Sequence, residues 1–117
     1  MGKFKDLRVW NDSMELVTQV YTTTQAEIFR RDFAFVNQIR KAAVSIPSNI
    51  AEGDERGTNR EAVHFFNISK GSAAEVITQL NIAFRLGYID QADLLRLENL
   101  AEKIRASLKN LIHSRSN

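Results

Sequence analysis

The sequence predicts an all-α fold: an up-down-up-down antiparallel four-helix bundle with a proline-bent second helix. Three observations lead there. Apolar residues recur at steps of three and four over most of the chain, and no stretch sustains the alternation of a strand. One proline and five glycines in 117 residues are few, which favours long helices joined by short turns. Residues able to cap a helix stand where the periodic runs begin. The length suits one domain, 1–117, with one core. Its helices are expected at about 6–25, 33–54, 58–86 and 90–113.

The first helix is expected to bury Leu7, Trp10, Met14, Val17 and Val20 or Tyr21. Asp6 is its expected cap, because a carboxylate there can accept from free backbone N–H groups. Phe4 is placed to pack back over the first turn. The β-branched run Thr22–Thr24 weakens helix near its end. Residues 25–32 carry no clear period and read as a link, with Asp32 capping the second helix.

The second helix holds the stretch around which the chain is organised, Ser45-Ile46-Pro47-Ser48-Asn49-Ile50-Ala51-Glu52-Gly53. Val36, Ile39, Ala43, Ile46 and Ile50 keep helical spacing across the proline. A proline inside a helix removes one donor and crowds the carbonyl four residues back. One reading is a continuous helix bent at Pro47 and ended near Gly53, with Ser45 and Ser48 bonding the freed carbonyls. The other is a second short helix that starts at Pro47. Asn49 is placed to bond a neighbouring helix, and Glu52 pairs with Arg56 at a spacing of four.

Thr58-Asn59-Arg60-Glu61 reads as a capping box that starts the third helix. Its seam is Ala62, Phe66, Ser69, Ala73, Val76, Leu80 and Ala83, widened by Phe65, Ile68, Ile77 and Phe84. Gly71, mid-helix, predicts close packing against Ala42 and Ala43, because glycine there otherwise costs about 1 kcal/mol. Gly87 stops the helix, and Tyr88 is expected to fold back on the preceding turn. Asp90 caps the fourth helix, with Leu94, Leu97, Ala101, Ile104, Leu108 and Leu111 as its seam. Ser114–Asn117 reads as a frayed tail. Val9, Leu16, Val44, Val63, Leu95 and Leu100 fall outside the seams, and this surplus predicts a homo-oligomer.

Composition narrows the function classes. The apolar fraction is 44% and the charged fraction 26%, those of a globular protein. No apolar run approaches the ~20 residues of a membrane span, and the N-terminal residues lack the apolar core of a signal peptide. A cytoplasmic location is expected, with no membrane partner. Without cysteine there are no disulfides or thiolate metal sites. Glu61-Ala62-Val63-His64 matches half of a di-iron motif, but His113 has Asn110 three residues earlier and supplies no second copy. Neither histidine belongs to a nucleophilic triad, and no phosphate-cradling glycine loop is present. The prediction is therefore no enzyme, no metal and no cofactor.

The net charge of +2 permits nucleic-acid binding without demanding it. The candidate contacts are Arg40, Lys41, Arg56 and Arg60 around the second helix and its turn, and Lys103, Arg105 and Lys109 on the fourth. Arg105, Lys109 and His113 share one stripe. The same cations are also at home as solvated charge or at a helix C-terminus. A ring of subunits repeats each cation, and so assembles a polyanion site from a weakly basic chain.

The run from Gln38 to Gly53 also resembles a known family. Phe4-Lys5-Asp6-Leu7, Val9-Trp10, Arg56, Phe65-Phe66, Gly71-Ser72, Glu75 and Leu86-Gly87-Tyr88 continue the resemblance. The family is that of the bacterial four-helix-bundle proteins first met in intervening sequences of large-subunit ribosomal RNA genes. The accessory variability determinant of diversity-generating retroelements resembles the same family. The resemblance implies a ring, typically a homopentamer, and, by analogy with the retroelement member, RNA or DNA and a reverse transcriptase as partners. The structural motif it carries over is Ser45, Pro47, Asn49, Glu52 and Gly53. This sequence departs from the family at Phe29-Arg30, where Phe-Pro is common, and at Lys41, where a second arginine is common. The alternative function is a protein-binding adaptor without direct nucleic-acid contact.

Overall fold

The computed structural model describes residues 3–116. Met1, Gly2 and Asn117 lie outside the described residues, and with them the two ends of the expected 1–117 domain. Every regular element among the described residues is helical. A 3-10 turn, Phe4–Asp6, precedes α1 (Arg8–Thr23), α2 (Glu27–Arg30), α3 (Phe33–Asp54), α4 (Asn59–Arg85) and α5 (Gln91–Arg115). The four long helices are the four expected ones, and α2 is an addition. Helix α1 packs on α3 and α5, and α4 packs on the same two from the other side. The molecule measures 45 × 21 × 20 Å.

Helix α1 begins later than expected and turns a different face inward. Asp6 does not cap it. Asp6 lies in the preceding turn, where its N–H donates to Lys3 O at 2.9 Å, and Leu7 takes the cap position with no side-chain bond. Asn11 Nδ2 ties the turn down by donating to Lys5 O at 2.9 Å and Leu7 O at 3.0 Å. Phe4 does pack on the helix, 5.4 Å from the Trp10 ring. The buried stripe is Val9, Ser13, Leu16 and Val20, while Met14 and Tyr21 are exposed and Leu7, Trp10 and Val17 half-buried. Val9 and Leu16 are thus core rather than surplus. A serine can hold a core position here because its hydroxyl donates to Trp10 O at 2.7 Å, so no polar group is left unpaired.

The unreadable link contains a buried anchor. Phe29 of α2 is fully buried, stacked on Phe35 at 5.6 Å and tilted against Tyr88 at 5.2 Å. Asp32 caps α3, accepting from Phe35 N at 3.3 Å, and also accepts from Tyr88 Oη at 3.0 Å. The Tyr88 side chain therefore reaches across to α2 and α3.

Helix α3 runs without interruption through Pro47 to Asp54, so no new helix starts at the proline. The polar groups around it differ from those expected. The two carbonyls that precede Pro47 each take a side-chain donor: Asn49 Nδ2 donates to Ser45 O at 2.8 Å and Ser69 Oγ to Ile46 O at 2.8 Å. Asn49 thus serves its own helix, and the neighbour α4 supplies the crossing bonds. Ser72 Oγ completes the set with a bond to Ser45 Oγ at 2.9 Å. Gly53 is the last residue but one of the helix, which ends at Asp54 as expected, and a Cβ there would meet Phe66 Cε1 at 2.7 Å. Gly71 is the opposite case. It is exposed, with nothing within 4 Å of a Cβ, so the close approach expected at Gly71 occurs at Gly53.

Thr58 caps α4 by accepting from Glu61 N at 3.2 Å. Among the described residues no bond returns from the Glu61 carboxylate, so only half of the expected box forms. The seam from Ala62 to Ala83 is buried throughout. Helix α4 ends with Gly87 at φ 77°, where the Tyr88 N–H donates to Ala83 O at 2.8 Å and the Gly87 N–H to Phe84 O at 3.0 Å, the paired bonds of a Schellman cap. Asp90 caps α5, accepting from Asp93 N at 2.8 Å. Leu94, Leu97, Ala101, Ile104 and Leu108 are buried, and Leu111 is half-buried. The expected frayed tail is helical as far as Arg115, which bonds Asp54 at 3.1 Å and lies 5.4 Å over the Phe66 ring. Each fully buried Leu, Ile or Phe in this core contributes about 1.5–3 kcal/mol of transfer free energy.

Candidate nucleic-acid interface

The seven candidate cations do not form one patch. Arg40 is half-buried and turned toward α1, with Nε on Thr24 Oγ1 at 2.9 Å and its guanidinium 4.4 Å over the Tyr21 ring. That geometry ties α1 to α3. Lys41, its sequence neighbour, is exposed on another side, beside a polar groove with Gln38, Ser45, Ser72 and Glu75. Arg56 pairs with Glu52 at 2.5 Å and covers the Phe65 ring at 4.6 Å. Arg60 is exposed on the first turn of α4. Lys103 faces α1, 3.5 Å from Asp12 Oδ2.

Arg105 and Lys109 do converge. With Lys70 of α4 they line a groove of about 210 Å³ between α4 and α5. Glu102 is its one acid, 2.9 Å from Arg105 Nη1. Three cations against one carboxylate leave the groove positive, and the pair itself is too exposed to be worth more than about 1 kcal/mol. Arg105 Nε is buried and has no hydrogen-bond partner among the described residues. Lys70 was not among the sequence candidates. Its signal was position: it follows seam residue Ser69, on the flank of α4 nearer α5. His113, expected on the stripe, is exposed and stands outside this groove.

An apolar groove lies on another face, between α1 and α3. Phe4, Trp10, Met14, Val17, Val44, Pro47 and Ala51 line it, and it encloses about 410 Å³. Met14 and Val44 are 42% and 39% exposed, so this groove holds the stripe that the sequence placed in the core. The proline ring forms part of its floor, which joins the organising motif to an open apolar surface.

Glu61 and His64 are both exposed, the His64 ring edge-on to Phe65 at 5.2 Å. Among the described residues no three His, Asp or Glu side chains cluster in a way that would hold a metal ion. No helix among them is long and apolar enough to cross a membrane.

Residues 5–110 match the family model described as 23S rRNA-intervening sequence protein. The chain belongs to that family. Its fold is similar to the crystal structure of a protein of unknown function from the S23 ribosomal protein family of Bacteroides thetaiotaomicron. The TM-score is 0.82 at 23% identity, over 89% of this chain and 97% of that one. A search of curated proteins finds no match. In this family member the matched span holds the proline motif, all seven candidate cations and the residues lining both grooves except Phe4.

Proposed function

We propose that this protein is a non-enzymatic, cytoplasmic assembly factor that binds RNA or DNA, or scaffolds a ribonucleoprotein, as a ring of identical subunits. Each subunit is a single-domain, up-down-up-down antiparallel four-helix bundle, bent at Pro47. The convergence of Lys70, Arg105 and Lys109 in one groove carries the nucleic-acid reading. Three cations flanked by one acid suit a phosphate backbone, and a ring repeats them in every subunit. The α1–α3 apolar groove supports self-association, because burying its exposed Met14 and Val44 removes apolar surface from water. The resemblance of the Gln38–Gly53 run to ring-forming bundles implies a homopentamer.

Gel shifts with labelled RNA and DNA at low and moderate salt test the binding. The expected result is a shift at low salt that weakens as salt rises and is weakened in Lys70→Gln/Arg105→Gln/Lys109→Gln. No shift by the native protein with either nucleic acid at low salt refutes it. Light scattering tests the ring.

A second reading is an adaptor that binds a protein, such as a reverse transcriptase, without touching nucleic acid. Leu86 and Leu95, 53% and 50% exposed, favour it. Pull-downs with and without nuclease separate the two readings.

A further inference from the structure

The groove where α2 meets α3 was not among the sequence candidates. It is large, about 800 Å³, and its chemistry is specific. Arg30, Arg31 and Arg40 line it together with Phe33, Asn37 and Gln25, and Glu27 is its one acid. Phe33 is 79% exposed, the most open large apolar side chain among the described residues. So exposed a ring adds almost nothing to the core, and the first position of a helix is readily filled by a polar residue. Arg40 is held by Thr24 and Tyr21, which fixes one wall of the groove. Arg30 makes no ion pair among the described residues, and the Arg31–Glu27 pair, with side chains 77% and 82% exposed, is easily exchanged for another anion.

We infer that this groove seats a single-stranded nucleic acid, with an unstacked base on the Phe33 ring and the adjoining phosphates on Arg30 and Arg31. The inference rests on the nucleic-acid reading above and names the strand form that reading leaves open. An aromatic face flanked by guanidinium groups is what single strands require, since every base has a face to stack and every linkage a charge. A duplex keeps its bases stacked and engages only the cations. The amides of Asn37 and Gln25 stand in the same groove and offer donors and acceptors to a base edge. Charge argues against the same groove of a second copy as the occupant. Three arginines against one glutamate would meet the same excess.

Fluorescence anisotropy with a labelled oligouridylate and with duplex RNA of equal length tests the inference. Phe33→Ala is expected to weaken oligouridylate binding about 5- to 150-fold and to leave duplex binding unchanged. Phe33→Trp retains both. Arg30→Gln/Arg31→Gln weakens both and flattens the single-strand salt slope by about 1.4. The exposure of Phe33 keeps these variants folded, which circular dichroism checks. If the native protein binds nucleic acid and Phe33→Ala binds oligouridylate equally well, this inference falls and the broader reading stands. If the native protein binds neither strand form at low salt, both fall. Polyglutamate that competes as strongly as the RNA overturns it in favour of an acidic protein partner. A lower mass of Phe33→Ala in light scattering overturns it in favour of a second copy.

Discussion

Gly53 of α3 lies directly against the Phe66 ring of α4: a Cβ added there would stand 2.7 Å from Cε1 and 2.9 Å from Cδ1. That Cβ would also stand 3.0 Å from the backbone carbonyl of Ala62. Phe66 is fully buried and has nowhere to swing. Gly53→Ala is therefore expected to destabilise by about 1–3 kcal/mol through overpacking, despite the better helix propensity of alanine. Gly71→Ala, with open space around it, is expected to stabilise by up to about 1 kcal/mol. Urea denaturation of the two variants checks the opposite signs.

Tyr88 links stability to alkaline pH. Its pKa is raised above the ordinary 10.0, first by the hydrogen bond its hydroxyl donates to Asp32, then by burial and by the Asp32 charge. The folded state thus holds the phenol proton more tightly than the unfolded chain. The resulting stabilisation is complete below pH 10.0 and is lost as pH rises through the higher folded value. Tyr88→Phe is expected to be less stable than the native protein at neutral pH, with the gap closing in alkali. A gap that stays constant across that range counts against the coupling.

Pro47→Ala restores a backbone donor inside α3 and removes a ring from the apolar groove. Helicity is expected to hold or rise slightly, while the assembly weakens. Circular dichroism and light scattering on the same samples separate the two effects. Unchanged mass means that the proline is not an assembly feature.

Arg40 and Lys109 are expected to differ in kind. Arg40→Gln removes the guanidinium from Tyr21 and a charged donor from Thr24, so it costs about 1 kcal/mol of stability. Lys109→Gln leaves stability nearly unchanged and lowers the salt slope of nucleic-acid binding by about 0.7–0.9. Urea denaturation and binding titrations at several salt concentrations check both.

The long helices were legible because their seams are single and regular. The bounds of α3, the seam of α4 from Ala62 to Ala83 and the caps at Asp32, Thr58 and Asp90 all arise from spacing and residue type. Helix α1 was not, because it carries two apolar stripes side by side. Val9–Leu16–Val20 contains a serine, and the purer Trp10–Met14–Val17 stripe faces the open groove. Helix α2 has only four residues, too few for a period, so its anchor Phe29 was invisible. The cations were legible as residues but not as a surface. Arg40 finds Thr24 sixteen positions away, and Lys103 finds Asp12 on another helix, and no local pattern encodes such partners.

The hydroxyl of Ser69 on the Ile46 carbonyl fixes the longitudinal setting of α4 on α3. Greasy faces alone would let α3 and α4 slide by a turn at little cost, since one aliphatic row resembles the next. A buried directional bond removes that freedom, because a slip would strand the hydroxyl among hydrocarbon. The proline stretch is thus a detent, holding two rods at one longitudinal setting.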